Sequence, residues 1–244
     1  MQIKPPFGYS EIVPLLKTHR VRLLQRGEVP EFARKLNAIP VSFTEIAPAA
    51  RDYPVVFTSG DSGKSYAPVA VLGMAAGENL FALADGWAPG TYVPAYARRY
   101  PFCMAKVNLN QVEQQNRMVC VERASVDAEG AEAVFDDKGE PTTKWRELQR
   151  LLTEYEADLE RGRELCAVLA DYALLEPITM QATLNEGGKL QLTGMHRVDE
   201  KKIEHLNASQ LKNLAKKGIL GRIYAHLLSL ENFSRLLARR KART

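Results

Sequence analysis

From Trp145 to Leu169 the apolar and small residues Trp145, Leu148, Leu152, Tyr155, Leu159, Gly162, Cys166 and Leu169 recur at intervals of 3,4,3,4,3,4,3. Only an α-helix brings such positions onto one side, so this stretch predicts a helix of about 25 residues and about 38 Å, its other faces charged or polar. An element that long dictates what surrounds it. Its seam has to lie across a sheet or along another helix, or pair with a second chain, which leaves open a homodimer through the 145–169 helix. Gly162 on the seam predicts a close backbone approach there. The helix is expected to continue through "VLADYALL" and to end near Glu176, because Pro177 disfavours helix in the residue before it.

Around this helix the texture of the chain changes. Residues 38–135 carry short runs of Val, Phe, Tyr, Pro and Gly, whereas residues 142–240 show helical periodicity. "YPVVFT" (53–58), "PVAVLGM" (68–74) and "NLFALA" (79–84) predict an antiparallel meander with short connections. "FCMAKVNL" (102–109) and "RMVCVER" (117–123) predict a hairpin with "NQVEQQN" as a long loop, across which Cys103 and Cys120 could face each other. A helical piece at "VPEFARKLN" (29–37) precedes the sheet. Later, "ITMQATL-NEGG-KLQLTGM" (178–195) reads as a hairpin around Gly187 and Gly188. Asp199 is a plausible N-cap for a short helix, and Asn207 or Ser209 caps a second that Gly218 closes. The final stretch, "ILGRIYAHLLSLENFSRLLARR", reads as one helix with Leu220, Ile223, Leu227, Leu230 and Leu237 on its buried face. The expectation is an α+β chain folded as a single domain over 1–244, with an antiparallel β-sheet in the N-terminal half packed against the long helix and a C-terminal helical layer.

Bulk composition narrows the functional classes. The 244 residues carry 33 Lys and Arg against 29 Asp and Glu, a net +4 that gives no strong case for nucleic acid or a membrane surface. Five basic residues crowd "RLLARRKART": Arg235, Arg239, Arg240, Lys241 and Arg243. A solvated helix end that complements the helix dipole explains most of that crowding, with an anionic partner as the alternative. The N-terminus lacks the apolar core of a signal peptide, and no run approaches the roughly 18 apolar residues of a membrane span, so a cytoplasmic location is expected. Cys103, Cys120 and Cys166 match no zinc or thioredoxin spacing and read as reduced, mostly buried thiols.

Motifs that would mark a reaction are missing from the pattern. His19, His196, His205 and His226 form no HExxH or HxH pair, so no metal is expected, and no phosphate loop, dinucleotide fingerprint or nucleophile elbow points to a cofactor. "GDSGKS" (60–65) lacks phosphate-loop spacing and reads as a strand connection. "FDDKGEPTTKW" (135–145) offers Asp136, Asp137 and Glu140, but misses the alternation a calcium loop needs and reads as a turn before a helix.

The densest stretch is "GWAPGTYVPAYARRYPF" (86–102). Ala88-Pro89-Gly90 makes a turn, Pro94 can open a short helix, and that helix is expected to stack Tyr96 and Tyr100 at i, i+4. Arg98 and Arg99 lie about 100° apart on that helix, so both cannot enter one core. Trp87, Tyr92, Tyr96, Arg98, Arg99 and Tyr100 are therefore candidates for holding a peptide, carboxylate or aromatic ligand. The competing reading is an aromatic corner pinned by prolines.

Together with "ARDYPVVF", "PVAVLGMAAGENLFA", "LLEPI" and "YAHLLSLENFSRLL", this stretch resembles the SapC family over about residues 30–238. "CVER" at 120–123 departs from a Cys-Ile-Asp that similar sequences often carry, so a role for that acid falls only loosely to Glu122. The resemblance implies a cytoplasmic bacterial protein linked to surface-layer or peptide export systems, and it brings no catalytic residues. Three functions stay open: a non-enzymatic accessory protein with a peptide or protein partner, an enzyme working at an Arg/Tyr pocket, and, less well supported, a nucleic-acid-binding protein.

Overall fold

A computed structural model describes residues 3–25, 27–61, 63–109, 112–183 and 189–243. In chain order the elements begin with strands β1 (Ile12–Pro14) and β2 (Arg20–Val21), helix α1 (Glu31–Arg34), strand β3 (Ala38–Pro40) and helix α2 (Ile46–Ala49). Strands β4 (Val55–Thr58), β5 (Ala67–Val71), β6 (Ala82–Leu83) and β7 (Gly86–Trp87) follow, then helix α3 (Ala95–Arg98) and strands β8 (Phe102–Leu109), β9 (Val112–Glu122) and β10 (Glu132–Ala133). The remainder comprises helix α4 (Thr143–Asp171), strands β11 (Leu175–Thr183) and β12 (Lys189–Val198), and helices α5 (Glu200–Glu204), α6 (Ala208–Lys216), α7 (Ile219–Ser229) and α8 (Asn232–Lys241). This is an α+β chain with antiparallel sheets, a long helix and C-terminal helices.

Two compact units divide these elements. The first comprises Met1–Ala33 with Ala95–Ala157, and the second Arg34–Pro94 with Asp158–Thr244. Helix α4 supplies its first half to one and its second half to the other.

In the first unit β1, β9 and β8 form an antiparallel sheet in that order. Cys103 lies directly opposite Cys120 in the β8–β9 register, as the sequence suggested, and both are free thiols. The expected long loop is instead strand from Val112 onward: Leu109 pairs with Val112 and Asn108 with Glu113, because the backbone ladder continues past the apolar run. Strand β1, for which the N-terminal sequence gave no signal, pairs with β9 from Ile12↔Glu122 to Pro14↔Cys120. Val21, Phe102, Val121, Val134, Trp145 and Leu152 form the buried core, with the Phe102 and Trp145 rings 4.7 Å apart. The seam of α4 thus does its expected work inside the chain, where each of its eight positions is buried or half-buried. Before α4, Asp136 Oδ1 accepts from the backbone N–H groups of Lys138 and Glu140, which is the predicted turn.

The second unit holds a five-stranded sheet of order β11-β12-β4-β5-β3, so the late hairpin joins strands from the first half of the chain. The hairpin extends beyond 178–195 at both ends, and its Gly187-Gly188 turn lies outside the described residues. The meander is corrected: β4 and β5 pair as expected, but β3 takes the third place and "NLFALA" does not. Asn79 Oδ1 accepts from the N–H groups of Phe81 and Ala82, which folds that stretch into a turn leading only to the short pair β6–β7.

Helix ends also differ from expectation. Helix α4 stops at Asp171, five residues before Glu176, and Glu176 and Pro177 lie in β11. Ala173 takes a left-handed φ of 52°, the Leu174 N–H donates to Leu169 O and the Ala173 N–H to Ala170 O, closing the helix in a Schellman arrangement without glycine. Asp199 caps α5, and Asn207 with Gln210 forms a capping box on α6. The final helix is broken into α7 and α8, because Ser229 and Asn232 turn inward to the backbone: Ser229 Oγ accepts from Val55 N–H and Asn232 Nδ2 donates to Ala50 O and Tyr53 O. The buried face accordingly shifts to Ile219, Ile223, His226 and Ser229, with the predicted Leu220, Leu227, Leu230 and Leu237 half-buried beside it.

Candidate functional site

The aromatic-proline stretch is divided between the two units. Trp87 and Tyr92 belong to the second, where their polar atoms are engaged locally. Trp87 Nε1 donates to Tyr53 Oη at 2.8 Å, Tyr53 Oη donates to Tyr92 O, and Tyr92 Oη donates to Glu45 Oε1 at 2.9 Å. Burial pushes the Tyr53 phenol up to about 12. The predicted turn is present, with Gly90 at a φ of 74° and Thr91 N–H donating to Ala88 O.

Tyr96, Arg98, Arg99 and Tyr100 belong to the first unit, and the two arginines part company there. Arg99 is 3% exposed. Its guanidinium lies 4.3 Å from the Tyr96 ring centroid, 5.0 Å from Tyr155 and 5.7 Å from Tyr9. Glu156, on α4, places Oε1 3.8 Å away and binds Arg117 through Oε2. Tyr96 Oη donates to Phe7 O and Tyr9 Oη to Phe102 O, so the walls of this cage are themselves pinned. Tyr96 and Tyr100 do not stack on each other. Helix α3 is a single turn, and the Phe32 ring stands between them, 6.1 Å and 5.5 Å from the two centroids.

Arg98 is exposed and faces the other way, onto a cleft of about 300 Å³ in the same unit. Leu23, Leu24 and Leu148 supply its apolar wall and Tyr100 an aromatic one. Gln25, Glu132, Lys144 and Glu147 complete the lining. Lys144 Nζ reaches both oxygens of Glu132 at 2.9 and 2.7 Å. Burial pushes the Tyr100 phenol up, and a hydrogen bond with Ser125 partly offsets that. The leucines and the first turns of α4 were not among the sequence candidates; Leu148 was visible only as a seam residue.

Outside the cleft, the three cysteines and His226 are committed to the interior. Burial pushes Cys103 and Cys166 up to about 12 and Cys120 to about 11. His226 is buried with Nδ1–H donating to Val55 O at 2.6 Å and Nε2 accepting from Val198 N–H at 3.1 Å. Burial pushes its pKa down to about 4, against the favourable bond to Val55. Glu122 is buried too, accepting from the Ser10 and Glu11 N–H groups, so this acid holds the N-terminal segment. Among the described residues no group of three or more His, Cys, Asp or Glu is placed to hold a metal ion, and no helix is long and apolar enough to cross a membrane.

Arg239, Arg240 and Arg243 also have partners within the chain, while four of the five basic residues at this helix end stay exposed, as a solvated end predicts. Arg240 binds both oxygens of Glu78, Arg243 donates to Asn79 O and Leu80 O, and Arg239 lies 4.4 Å from the Phe81 centroid. They brace the turn that Asn79 begins.

These features define an α+β protein whose first unit carries a mixed polar and apolar cleft beside a buried arginine. The chain belongs to the SapC family, which matches residues 16–236. No curated protein and no solved structure matches it.

Proposed function

We propose that this SapC-family chain is a non-enzymatic accessory protein that binds a peptide or an extended polypeptide in the cleft of its first unit. The observation that carries this reading is the cleft's composition: three leucines and a tyrosine beside the exposed side chain of Arg98, with acids and a lysine at the same surface. Such walls suit side chains and backbone together, and pockets of this kind orient ligands by a few polar groups on an apolar base. The family resemblance to surface-layer and peptide export systems makes a cytoplasmic polypeptide bound for the cell surface the natural occupant. A homodimer through 145–169 would have to use the polar faces of α4, because its seam is engaged within the chain.

The test is capture of unstructured nonapeptides from an array of defined sequences. An Arg98→Ala/Leu24→Ser variant should keep the wild-type melting temperature and lose capture about ten-fold, roughly 1.4 kcal/mol. Equal capture by variant and wild type, or no capture by either, sinks the reading.

A further inference from the structure

The charges lining the cleft are not equally engaged. Lys144 and Glu132 neutralise one another through two short contacts. Arg98 is not without a partner of its own. Glu147, exposed on the second turn of α4, has neither a hydrogen bond nor an ion pair among the described residues. Glu147 is therefore the one charged side chain of the lining without a partner among the described residues, and it stands beside an apolar wall and an aromatic ring. Its volume, about 300 Å³, is at the lower end for ligand pockets and admits an anchoring side chain more readily than a folded segment.

From this arrangement we infer that the cleft anchors a lysine or arginine side chain of the bound polypeptide, an inference that rests on the polypeptide-binding role proposed above. The aliphatic stem lies along Leu23, Leu24 and Leu148, and the cationic head meets Glu147 with the Tyr100 ring beside it. An aspartate or glutamate side chain would bring its carboxylate toward Glu147, which has no partner to offset the repulsion, while Lys144 is already held by Glu132.

Four blocked nonapeptides that differ only in a central lysine, arginine, norleucine or glutamate separate the outcomes, titrated by calorimetry at low salt. The lysine and arginine peptides should bind about ten-fold more tightly than the norleucine peptide, and the glutamate peptide most weakly. Glu147→Gln, at an exposed position, should abolish that preference without weakening the norleucine peptide. Equal binding of all four, or a preference that survives Glu147→Gln, overturns the inference while leaving polypeptide binding standing. Tightest binding of the glutamate peptide, lost in Arg98→Ala, overturns it in favour of an anionic anchor. Failure of all four to bind overturns the polypeptide reading itself.

Discussion

Arg98 and Arg99 differ by one step along the chain and by nearly everything else. Exposed side chains such as Arg98 cost little to replace, whereas Arg99 is a cation packed among three tyrosine rings with Glu156 as its counter-charge. Its Nε has no hydrogen-bond partner among the described residues, so the rings and the ion pair carry the desolvated charge. Arg98→Ala is expected to change unfolding free energy by no more than about 0.5 kcal/mol. Arg99→Ala should cost about 3 kcal/mol, since it leaves a void among the rings and removes one of two cations from Glu156. Urea denaturation of the two variants measures both, and equal effects would contradict the assignment. That the arginines diverge was legible in the sequence, because a helix separates adjacent residues by about 100°. Which one enters the core was not, since Tyr9 and Tyr155 come from segments distant in sequence.

At the scale of elements, periodicity located α4 and capping chemistry located α5 and α6, because both depend on residues within a turn or two of each other. Gly162 shows where such reading overreaches. Its place on the seam suggested a close backbone approach, yet a Cβ there would sit 3.9 Å from Phe43 N, an ordinary contact. Gly162→Ala is therefore expected to stabilise the protein by about 0.8 kcal/mol through helix propensity. Gly73→Ala should do the opposite. A Cβ at Gly73 would stand 2.1 Å from Glu78 O, far inside van der Waals contact, and the backbone shift required should cost about 3 kcal/mol. Thermal unfolding of both variants checks the contrast. The break between α7 and α8 escaped the sequence because it is made by polar side chains reaching another element. Ser229 and Asn232 satisfy backbone groups of Ala50, Tyr53 and Val55, partners that no helical repeat encodes.

For the whole molecule, His226 sets a limit on acid stability. It bridges β4 and β12 as a neutral ring, since Nδ1 must donate to Val55 O and Nε2 must accept from Val198 N–H. A second proton would set two N–H groups against each other in the interior. With the folded pKa near 4 and the ordinary value at 6.5, the unfolded chain takes up the proton first as pH falls. Stability is therefore fully present above about pH 6.5 and is lost as pH drops toward 4, by about 3 kcal/mol from this group. Unfolding of wild type and His226→Gln compared across that range should show a flatter profile in the variant. Parallel profiles would assign the acid loss to the carboxylates instead.

The sequence by itself determined the α+β class, the long helix and its seam, the opposition of two cysteines, the capped late helices and the family, because each is written in short-range patterns or in a run of residues read as a whole. Tertiary structure alone decided that the five-stranded sheet joins strands from both ends of the chain. It also decided that the C-terminal arginines brace a distant turn, and that the "YARRY" segment turns one arginine into a cage of rings and the other toward a cleft lined by leucines. Those outcomes depend on which surfaces meet when the chain collapses, and pairing between distant segments is set by complementary packing and hydrogen bonding that no local pattern records.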